Sequence, residues 1–345
     1  ADHSSTINGD YDITRATDTG PGTLYFVSLN PYEVGRNTST DAVYDFAGNL
    51  TLHGHNNPSA ATVLLGFEHQ LLANNGGGSG HYTNVENGTV TSILKNSGNI
   101  TLQDGYNLVG IQIDTEYGTS SGGYFRKQPQ TINEGTITIN SQNSIGIDYG
   151  YYQSAAPNTK TTLGNINVNG SNSYGFRMKD YSNKTSGATY YDLTDITGGG
   201  TGKKITVKGT NNVGVSIAQG TSSGDPLSRV TGLNIEVGGT GNVGFLRNSQ
   251  GSYANTNAMI LNATTIGDTF NFSSDATESA LIRSDKNEVK LDKDITVGAI
   301  GAKNTLLQAG KQGTVRLGSG KTVTSTSSDE FYGMTDGSFE TSGKG

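Results

Sequence analysis

Cysteine and tryptophan are absent from this chain of 345 residues, and both charged and apolar residues are scarce. Without cysteine the protein has no disulfides, thiolate metal sites or cysteine nucleophiles. Hydrophobic residues make up only 32% of the chain, which argues against one compact globule of this size. The charged share is only 15%, and 17 Tyr and 10 Phe are present, so the composition does not fit a disordered chain either.

Other scarcities exclude further classes. With 6 Pro and no Gly-X-Y period, the sequence is not collagen. A net charge of -7 gives no electrostatic reason to bind nucleic acid. No apolar run approaches the ~20 residues that span a bilayer. No basic segment followed by an apolar one opens the chain, so we expect it to follow a removed signal or to belong to a longer protein.

Glycine, by contrast, is abundant at 50 residues, and part of it falls in an internal repeat. Five segments share an apolar-x-apolar stretch, a polar turn rich in Gly and Asn, and an apolar-Gly-apolar stretch. They span residues 100–110, 137–147, 166–176, 205–215 and 235–245. The alternation of apolar residues with period two predicts short strands with one buried face.

Two positions of the repeat predict backbone geometry. The turn position carries Asn or Gly, the residues that best tolerate a positive φ, so we expect a left-handed conformation there. A glycine between apolar residues on the next strand predicts a bend or a close approach of two backbones. The turn residues are Asn107, Asn143, Asn172, Asn211 and Gly241, and the strand glycines are Gly110, Gly146, Gly175, Gly214 and Gly244.

The connectors show no helical periodicity, which excludes a βαβ repeat, and no propeller signature is present. The best fit is an all-β fold, a parallel β-helix or β-solenoid, in which each coil contacts only its neighbours. Long insertions follow the strand after each repeated glycine, so we expect all of them to emerge along one side. They are predicted at residues 117–130, 149–162, 180–202, 219–229 and 248–257.

The repeat divides the chain into three parts. Residues 1–94 are predicted to be an irregular N-terminal cap or the first coils. Residues 95–257 form coils with long loops rich in Tyr and Gly. Residues 258–345 form more regular coils, and the last residues resemble the lead-in to another strand, so we expect the solenoid to continue in a longer protein.

Several stretches of the chain resemble the passenger repeats of large bacterial type V autotransporters, above all fusobacterial outer-membrane adhesins. They are the repeats at 135–147 and 164–176 and the stretches 303–307 and 331–334. The resemblance is strong over 95–345 and weak over 1–94. It implies a right-handed β-helical passenger, a C-terminal membrane β-barrel outside this chain, and display on the bacterial surface. It also implies adhesion to host cells or other bacteria, through a surface protein or glycan that the sequence does not name.

Aromatic residues in or beside the long loops are the best candidates for ligand contact, because tyrosine offers a large rigid surface with a polar tip. An alternative role for about half of them is to pack over the loop bases. The predicted ligand-binding residues are Tyr117, Tyr124, Phe125, Arg126, Tyr151, Tyr152, Tyr181, Tyr190 and Tyr191.

Catalytic and metal sites are not indicated, and no cofactor is expected. All five histidines lie within the first 81 residues, and His53 with His55 lacks further nearby ligands. Residues 318–322 imitate the end of a phosphate loop without its first glycine, and residues 198–200 form a glycine run typical of a flexible loop. The enzymatic alternative is a β-helical polysaccharide lyase or hydrolase, which needs clustered carboxylates. Its candidates are Asp192, Asp195, Asp285, Glu288, Asp292 and Asp294.

The sequence therefore favours a surface-displayed adhesin that is not an enzyme. A vacuolating-type secreted toxin on the same scaffold is a weaker alternative, since no segment is apolar enough for membrane insertion.

Overall fold

A computed structural model describes 28 strands in most of the chain. The residues described are 4–15, 22–29, 41–60, 63–73, 91–117, 128–152, 159–178, 194–218, 227, 229–248, 257–297, 303–325 and 338–341. The strands form three long parallel sheets, here called A, B and C, and the chain visits them in the order A, B, C in each of the first seven coils. The predicted parallel β-helix is confirmed.

Sheet A holds short strands from the first seven coils. They are β1 (Ser5–Ile7), β4 (Ala42–Phe46), β7 (Ser92–Asn96), β10 (Gln130–Asn133), β13 (Thr159–Thr162), β16 (Thr194–Thr197) and β19 (Val230–Thr231).

Sheet B holds the first strand of each repeat. Its members are β2 (Asp10–Thr14), β5 (Asn49–His53), β8 (Asn99–Asp104), β11 (Thr136–Ile139), β14 (Asn165–Val168), β17 (Ile205–Val207), β20 (Leu233–Val237) and β23 (Ile266–Phe272).

Sheet C holds the strands that carry the repeated glycine, and it continues furthest along the chain. Its members are β3 (Thr23–Leu29), β6 (Val63–Ala73), β9 (Leu108–Tyr117), β12 (Ile145–Tyr152), β15 (Tyr174–Met178), β18 (Val213–Ala218), β21 (Val243–Asn248), β24 (Ala280–Asp292), β26 (Thr305–Leu317) and β28 (Ser338–Thr341). β22 (Met259–Asn262) pairs with the second half of β24, and β25 (Ile295–Val297) pairs with β27 (Val323–Ser325).

The core is a set of aliphatic ladders in strict register. Ile137 of β11 pairs with Ile100 of β8 on one side and with Ile166 of β14 on the other, and all three are fully buried. Each inward residue therefore packs against the same position of the coils above and below. Since a coil needs only a few apolar residues to fill its section of the core, the low apolar content of the chain is sufficient.

Both backbone predictions for the repeat are confirmed. The turn residues Asn107, Asn143, Asn172, Asn211 and Gly241 have φ between 50° and 67°. The same turn continues in the later coils through Glu278 and Lys303, with φ of 49° and 59°, although neither residue type suggested it. A Cβ atom on Gly110 would lie 2.6 Å from the carbonyl oxygen of Gly146, so the repeated glycines mark close contact between successive backbones.

A buried ladder of Ser and Asn directly follows the positive-φ residue, and the sequence analysis missed it. Its members are Ser144, Ser173, Asn212, Asn242, Ser279 and Asn304, each at most 2% exposed. The side-chain oxygen of each member accepts a hydrogen bond from a backbone N–H of the preceding coil, as Ser173 Oγ does from the amide of Ser144 at 3.0 Å. The recurring Ser or Asn before the apolar-Gly pair was the signal for this ladder.

The two ends of the described chain extend the same plan. Strands β1 to β6 belong to the three main sheets, so the described residues of the N-terminal part form coils. Tyr11, Phe26, Phe46 and Phe67 pack there with ring centroids 4.8–6.2 Å apart in successive pairs. Near the other end, β24 is one continuous strand whose first part pairs with β21 and whose last part pairs with β22. Its pairing with β26 shifts register between Ser284 and Lys286.

Candidate functional site at the corner between sheets C and A

The long insertions all attach to one corner of the coil. Each begins where a strand of sheet C ends, and all but the last, which leads to β22, finish where a strand of sheet A begins. β9 ends at Tyr117 and β10 begins at Gln130, while β15 ends at Met178 and β16 begins at Thr194. Because these strands are neighbours within their sheets, the attachment points form a line along one side, as predicted.

The structure extends and corrects the predicted insertions. Residues 30–40 and 74–90 also connect sheet C to sheet A, so two more insertions attach to this corner in the N-terminal coils. Two predicted insertions contain strand segments. Tyr149–Tyr152 belongs to β12 and Thr159–Thr162 is β13, both within 149–162, and Thr194–Thr197 is β16 within 180–202. Short Thr-rich strands without aliphatic alternation resemble loop sequence, which explains the error.

The predicted ligand-binding residues fall at this corner or in the insertions. Tyr117 ends β9, and Tyr151 and Tyr152 end β12, where they pair with Thr115 and Glu116. The remaining predicted residues lie outside the described part of the chain, and they are Tyr124, Phe125, Arg126, Tyr181, Tyr190 and Tyr191.

Tyr149, by contrast, is a core residue rather than a surface one. It is buried, and its hydroxyl shares a hydrogen bond of 2.8 Å with Thr159 Oγ1 across the corner. The alternative role considered for the loop-associated aromatics, packing at the base of an insertion, therefore applies to this tyrosine.

A column of charged and polar side chains lies on the outer face of sheet C beside the corner. Successive strands contribute Ser28, Glu68, Gln112, Asp148 and Arg177 in register. The Ser28 hydroxyl donates to Glu68 Oε2 at 2.6 Å. The Arg177 guanidinium donates to both carboxylate oxygens of Asp148, at 3.1 and 2.9 Å, in the bidentate geometry that makes such pairs strong.

Asp114 lies beside this column, two residues beyond Gln112 on β9. Gln112 Nε2 donates to both of its carboxylate oxygens, at 2.8 and 3.0 Å. The pKa of Asp114 is raised to about 6, and burial is the largest cause. The hydrogen bond from Gln112 opposes this rise, whereas the carboxylates of Glu68 and Asp148 contribute to it. Three carboxylates therefore meet at the bases of three insertions, and one of them is protonated in mildly acidic solution.

We expect Asp114→Asn to stabilise the protein at pH 8 and to have little effect near pH 4. Because the folded-state pKa of Asp114 is above its ordinary value of 3.8, the folded protein binds more protons than the unfolded chain between pH 3.8 and about 6. Stability contributed by this group therefore falls as the pH rises through that window. Thermal unfolding of the variant and the wild type at both pH values measures the difference.

Asp148→Asn is the matched control on the same face. It breaks the bidentate pair with Arg177, so it should lower the melting temperature at pH 8, opposite in sign to Asp114→Asn. If the two substitutions changed the melting temperature equally, repulsion among the carboxylates would not control the stability of this region.

His69 lies on the inner face of sheet C below the corner and is fully buried. Its Nδ1 is 2.8 Å from Thr131 Oγ1 and its Nε2 is 2.9 Å from Ser92 Oγ, so the ring joins sheet C to two strands of sheet A. A neutral imidazole satisfies both bonds, since one nitrogen donates and the other accepts. Burial lowers the pKa of His69 to about 3. Its position in the inward series Phe67, His69, Leu71 was the sequence signal for a core histidine.

We expect His69→Gln to weaken the loss of stability in acid. Between pH 6.5 and about 3 the unfolded chain binds a proton at this position and the folded protein does not. Stability therefore falls as the pH drops through this window, with a limiting slope of about 1.4 kcal/mol per pH unit. Urea unfolding at pH 7, 5.5 and 4 measures the slope. A slope as steep in the variant as in the wild type would assign the acid sensitivity to other groups.

The carboxylates considered for polysaccharide cleavage are mostly engaged in structural pairs. Arg229 Nε donates to Asp195 at 2.5 Å, and although burial raises the pKa of Asp195, hydrogen bonds from Arg229 and Gln128 leave it below its ordinary value. The other pairs are Arg283 with Asp285, Arg316 with Glu288, and the amide of Thr322 with Asp294. Asp192 lies outside the described residues.

His53 and His55 do not converge on one site. His53 lies between the carboxylates of Asp12 and Asp104, at 3.0 Å from each, on the outer face of sheet B. His55 Nδ1 accepts a hydrogen bond from the amide of Asn57 instead. Within the described residues, no group of three or more histidine or acidic side chains has a geometry that holds a metal ion.

The chain matches no known family model, no curated protein and no solved structure. In the part of the chain that the structure describes, no helix has the length and apolar character needed to cross a membrane.

Proposed function

We propose that this protein is a segment of a bacterial autotransporter passenger that acts as a surface adhesin. The observation that carries the proposal is that six connections of ten or more residues, those after β3, β6, β9, β15, β18 and β21, all leave the ends of sheet C strands along one side of the coil. The corner between sheets A and B is short in most coils, with only residues 47–48 between β4 and β5 and residues 134–135 between β10 and β11. The longest connection of each of these coils therefore leaves sheet C, although residues 54–62 between β5 and β6 and residues 198–204 between β16 and β17 also form long turns at the other corners.

A rigid rod with loops on one side suits the recognition of large surfaces. Binding residues are concentrated on loops that a rigid scaffold positions. Each coil from β3 to β21 adds another attachment point along the same line. The insertions that follow β9 and β15 contain Tyr124, Phe125, Tyr181, Tyr190 and Tyr191. Tyrosine-rich loops supply rigid contact area and polar tips for protein and glycan ligands.

The repeats and the composition support secretion and surface display. The repeats resemble those of fusobacterial adhesins, and the absence of cysteine fits a chain that crosses an oxidising compartment before it folds. The partner we propose is a protein or glycan on a host cell or on another bacterium, and the site of action is the outer surface of the bacterial cell.

Insertion replacement tests this function. In two variants, residues 118–127 or residues 179–193 are replaced by a short Gly-Ser linker, and a third variant carries both replacements. The matched control replaces residues 219–226, an insertion at the same corner that contains no aromatic residue. Binding to epithelial and bacterial cells is measured by flow cytometry, and circular dichroism verifies the fold.

We expect the double replacement to abolish binding and the control to retain it. Binding that survives the double replacement would contradict the assignment of the ligand site to these insertions. Incubation of the wild type with neutral and acidic polysaccharides tests the enzymatic alternative. Release of reducing or unsaturated ends would show that the protein is a carbohydrate-active enzyme.

A further inference from the structure

A cleft of about 430 Å³ with polar side chains lies at a different corner of the coil, the one between sheets A and B. It exists because three successive coils turn this corner differently. Between β19 and β20 the turn is the single residue Gly232, which forms part of the cleft lining. The turn before it, residues 198–204, is much longer, and β23 on the other side has a register shift against β20. The short turn is thus recessed between two walls. Residues 200–204 form the first wall, and residues 267–269 of β23 form the second.

The glycine run lies in the turn of residues 198–204, which includes the first wall, so its assignment to a loop agrees with the structure. Gly199, Gly200 and Gly202 have φ of 98°, 93° and 78°, a conformation that side chains rarely adopt. A Cβ atom on Gly200 or Gly202 would meet nothing within 4 Å, so these glycines border open space. Glycine here shapes the wall and leaves the backbone accessible to a ligand.

Internal hydrogen bonds hold the two walls in place. Asn234 on the floor donates from Nδ2 to the carbonyl of Lys203 at 3.1 Å and accepts from the amide of Thr269 at 2.8 Å. It therefore connects one wall to the other. Lys293 Nζ donates to the carbonyls of Ile266 and Gly267, at 3.4 and 3.2 Å, and supports the second wall from behind. A cleft with fixed walls requires little ordering when a ligand binds.

The lining identifies the class of ligand. All the side chains that line the cleft are polar, and they are those of Thr201, Lys203, Lys204, Asn234, Asp268 and Thr269. The aliphatic parts of these side chains and the glycine backbone also give the cleft apolar surface, which can contact the C–H groups of a ligand. The carboxylate of Asp268 disfavours an anion. The ammonium groups of Lys203 and Lys204, which donate to the carbonyl of Glu134 at 2.9 Å and to Glu236 Oε2 at 3.4 Å, disfavour a cation. Hydroxyl groups, which both donate and accept, can pair with a carboxylate, with ammonium groups and with Thr hydroxyls.

We propose that this cleft binds a neutral sugar residue of a glycan. Its volume lies within the usual range for small-molecule sites and accommodates one or two sugar units. The cleft is built by the corner between sheets A and B, so the inference does not depend on the corner insertions or on the adhesin assignment.

Saturation-transfer difference NMR on the 345-residue chain tests the inference. The probes are the neutral sugars glucose, galactose, mannose and N-acetylglucosamine, with glucuronate and glucosamine as charged counterparts. We expect at least one neutral sugar to bind with a Kd in roughly the millimolar range, as befits a ligand of this size. Asp268→Ala should weaken this binding about tenfold or more, because it removes the charged acceptor.

Asp275→Ala is the matched control, since Asp275 is an exposed carboxylate of the same coil that does not line the cleft. It should leave sugar binding unchanged. Absence of binding by every neutral probe, preference for a charged probe, or unchanged binding in Asp268→Ala would each overturn the proposal. Because the cleft lies outside the replaced insertions, loss of cell binding in those variants with intact sugar binding separates the two proposals.

Discussion

Gly175→Ala is expected to lower the free energy of unfolding by about 3 kcal/mol, a large effect for one added methyl group. The new Cβ atom would lie 2.7 Å from the carbonyl oxygen of Gly214 and 3.2 Å from methyl carbons of Val168 and Ile205. The oxygen belongs to the backbone of the next coil, so no side-chain rotation relieves the collision. Relief requires β15 and β18 to separate, which weakens their parallel hydrogen bonds.

The experiment compares urea unfolding and hydrogen exchange of the variant with those of the wild type. Because a solenoid coil contacts only its neighbours, loss of exchange protection should be greatest in β12, β15 and β18. Gly232→Ala is the control, since Gly232 has a φ of 64° but its Cβ would meet no atom within 4 Å. It should cost only about 1 to 2 kcal/mol from backbone strain. Equal losses in the two variants would contradict the role of close coil contact.

Sequence reasoning predicted the coil well because the repeat forces the same backbone geometry at the same position. Asn143 and Asn172 identified a turn with positive φ, and Gly146 and Gly175 identified the contact between coils. It was weaker for sheet A, whose strands contain residues such as Thr159–Thr162 that lack an aliphatic face. In such strands the inward side chains are small and polar, so alternation of hydrophobicity gives no signal.

The functional regions were harder to predict than the coil because they depend on contacts between distant residues. Asp148 and Arg177 are separated along the chain by a complete coil, and only the register of β12 against β15 brings them together. The cleft at the other corner likewise depends on differences among three consecutive turns. A single repeat unit, read alone, contains neither arrangement, whereas the attachment of the insertions to one side follows directly from the repeat.

The buried ladder leads to the second large effect, in which Asn212→Ala is expected to destabilise the protein by about 4 kcal/mol. Asn212 is fully buried, and its Oδ1 accepts from the amide of Ser173 at 2.9 Å. Its Nδ2 donates to the carbonyls of Gly170 and Lys208, at 2.8 and 2.7 Å. Alanine removes the side-chain partner of these three backbone groups, and the Gly170 carbonyl alone keeps a second bond, from the amide of Thr210 at 3.2 Å. Each buried polar group that loses its partner costs about 1–3 kcal/mol.

Two substitutions at the same turn make this prediction specific. Asn212→Ser should recover part of the loss, because Ser173 and Ser279 accept the equivalent amide bond in their own coils, whereas a serine hydroxyl is too short to replace both donor bonds. Asn211→Gly should change stability by no more than about 0.5 kcal/mol, since Asn211 is exposed and its φ of 56° suits glycine. Urea unfolding of the three variants gives the order. If Asn212→Ala proved as stable as Asn211→Gly, the ladder would be incidental to the fold, and apolar packing alone would hold the coils together.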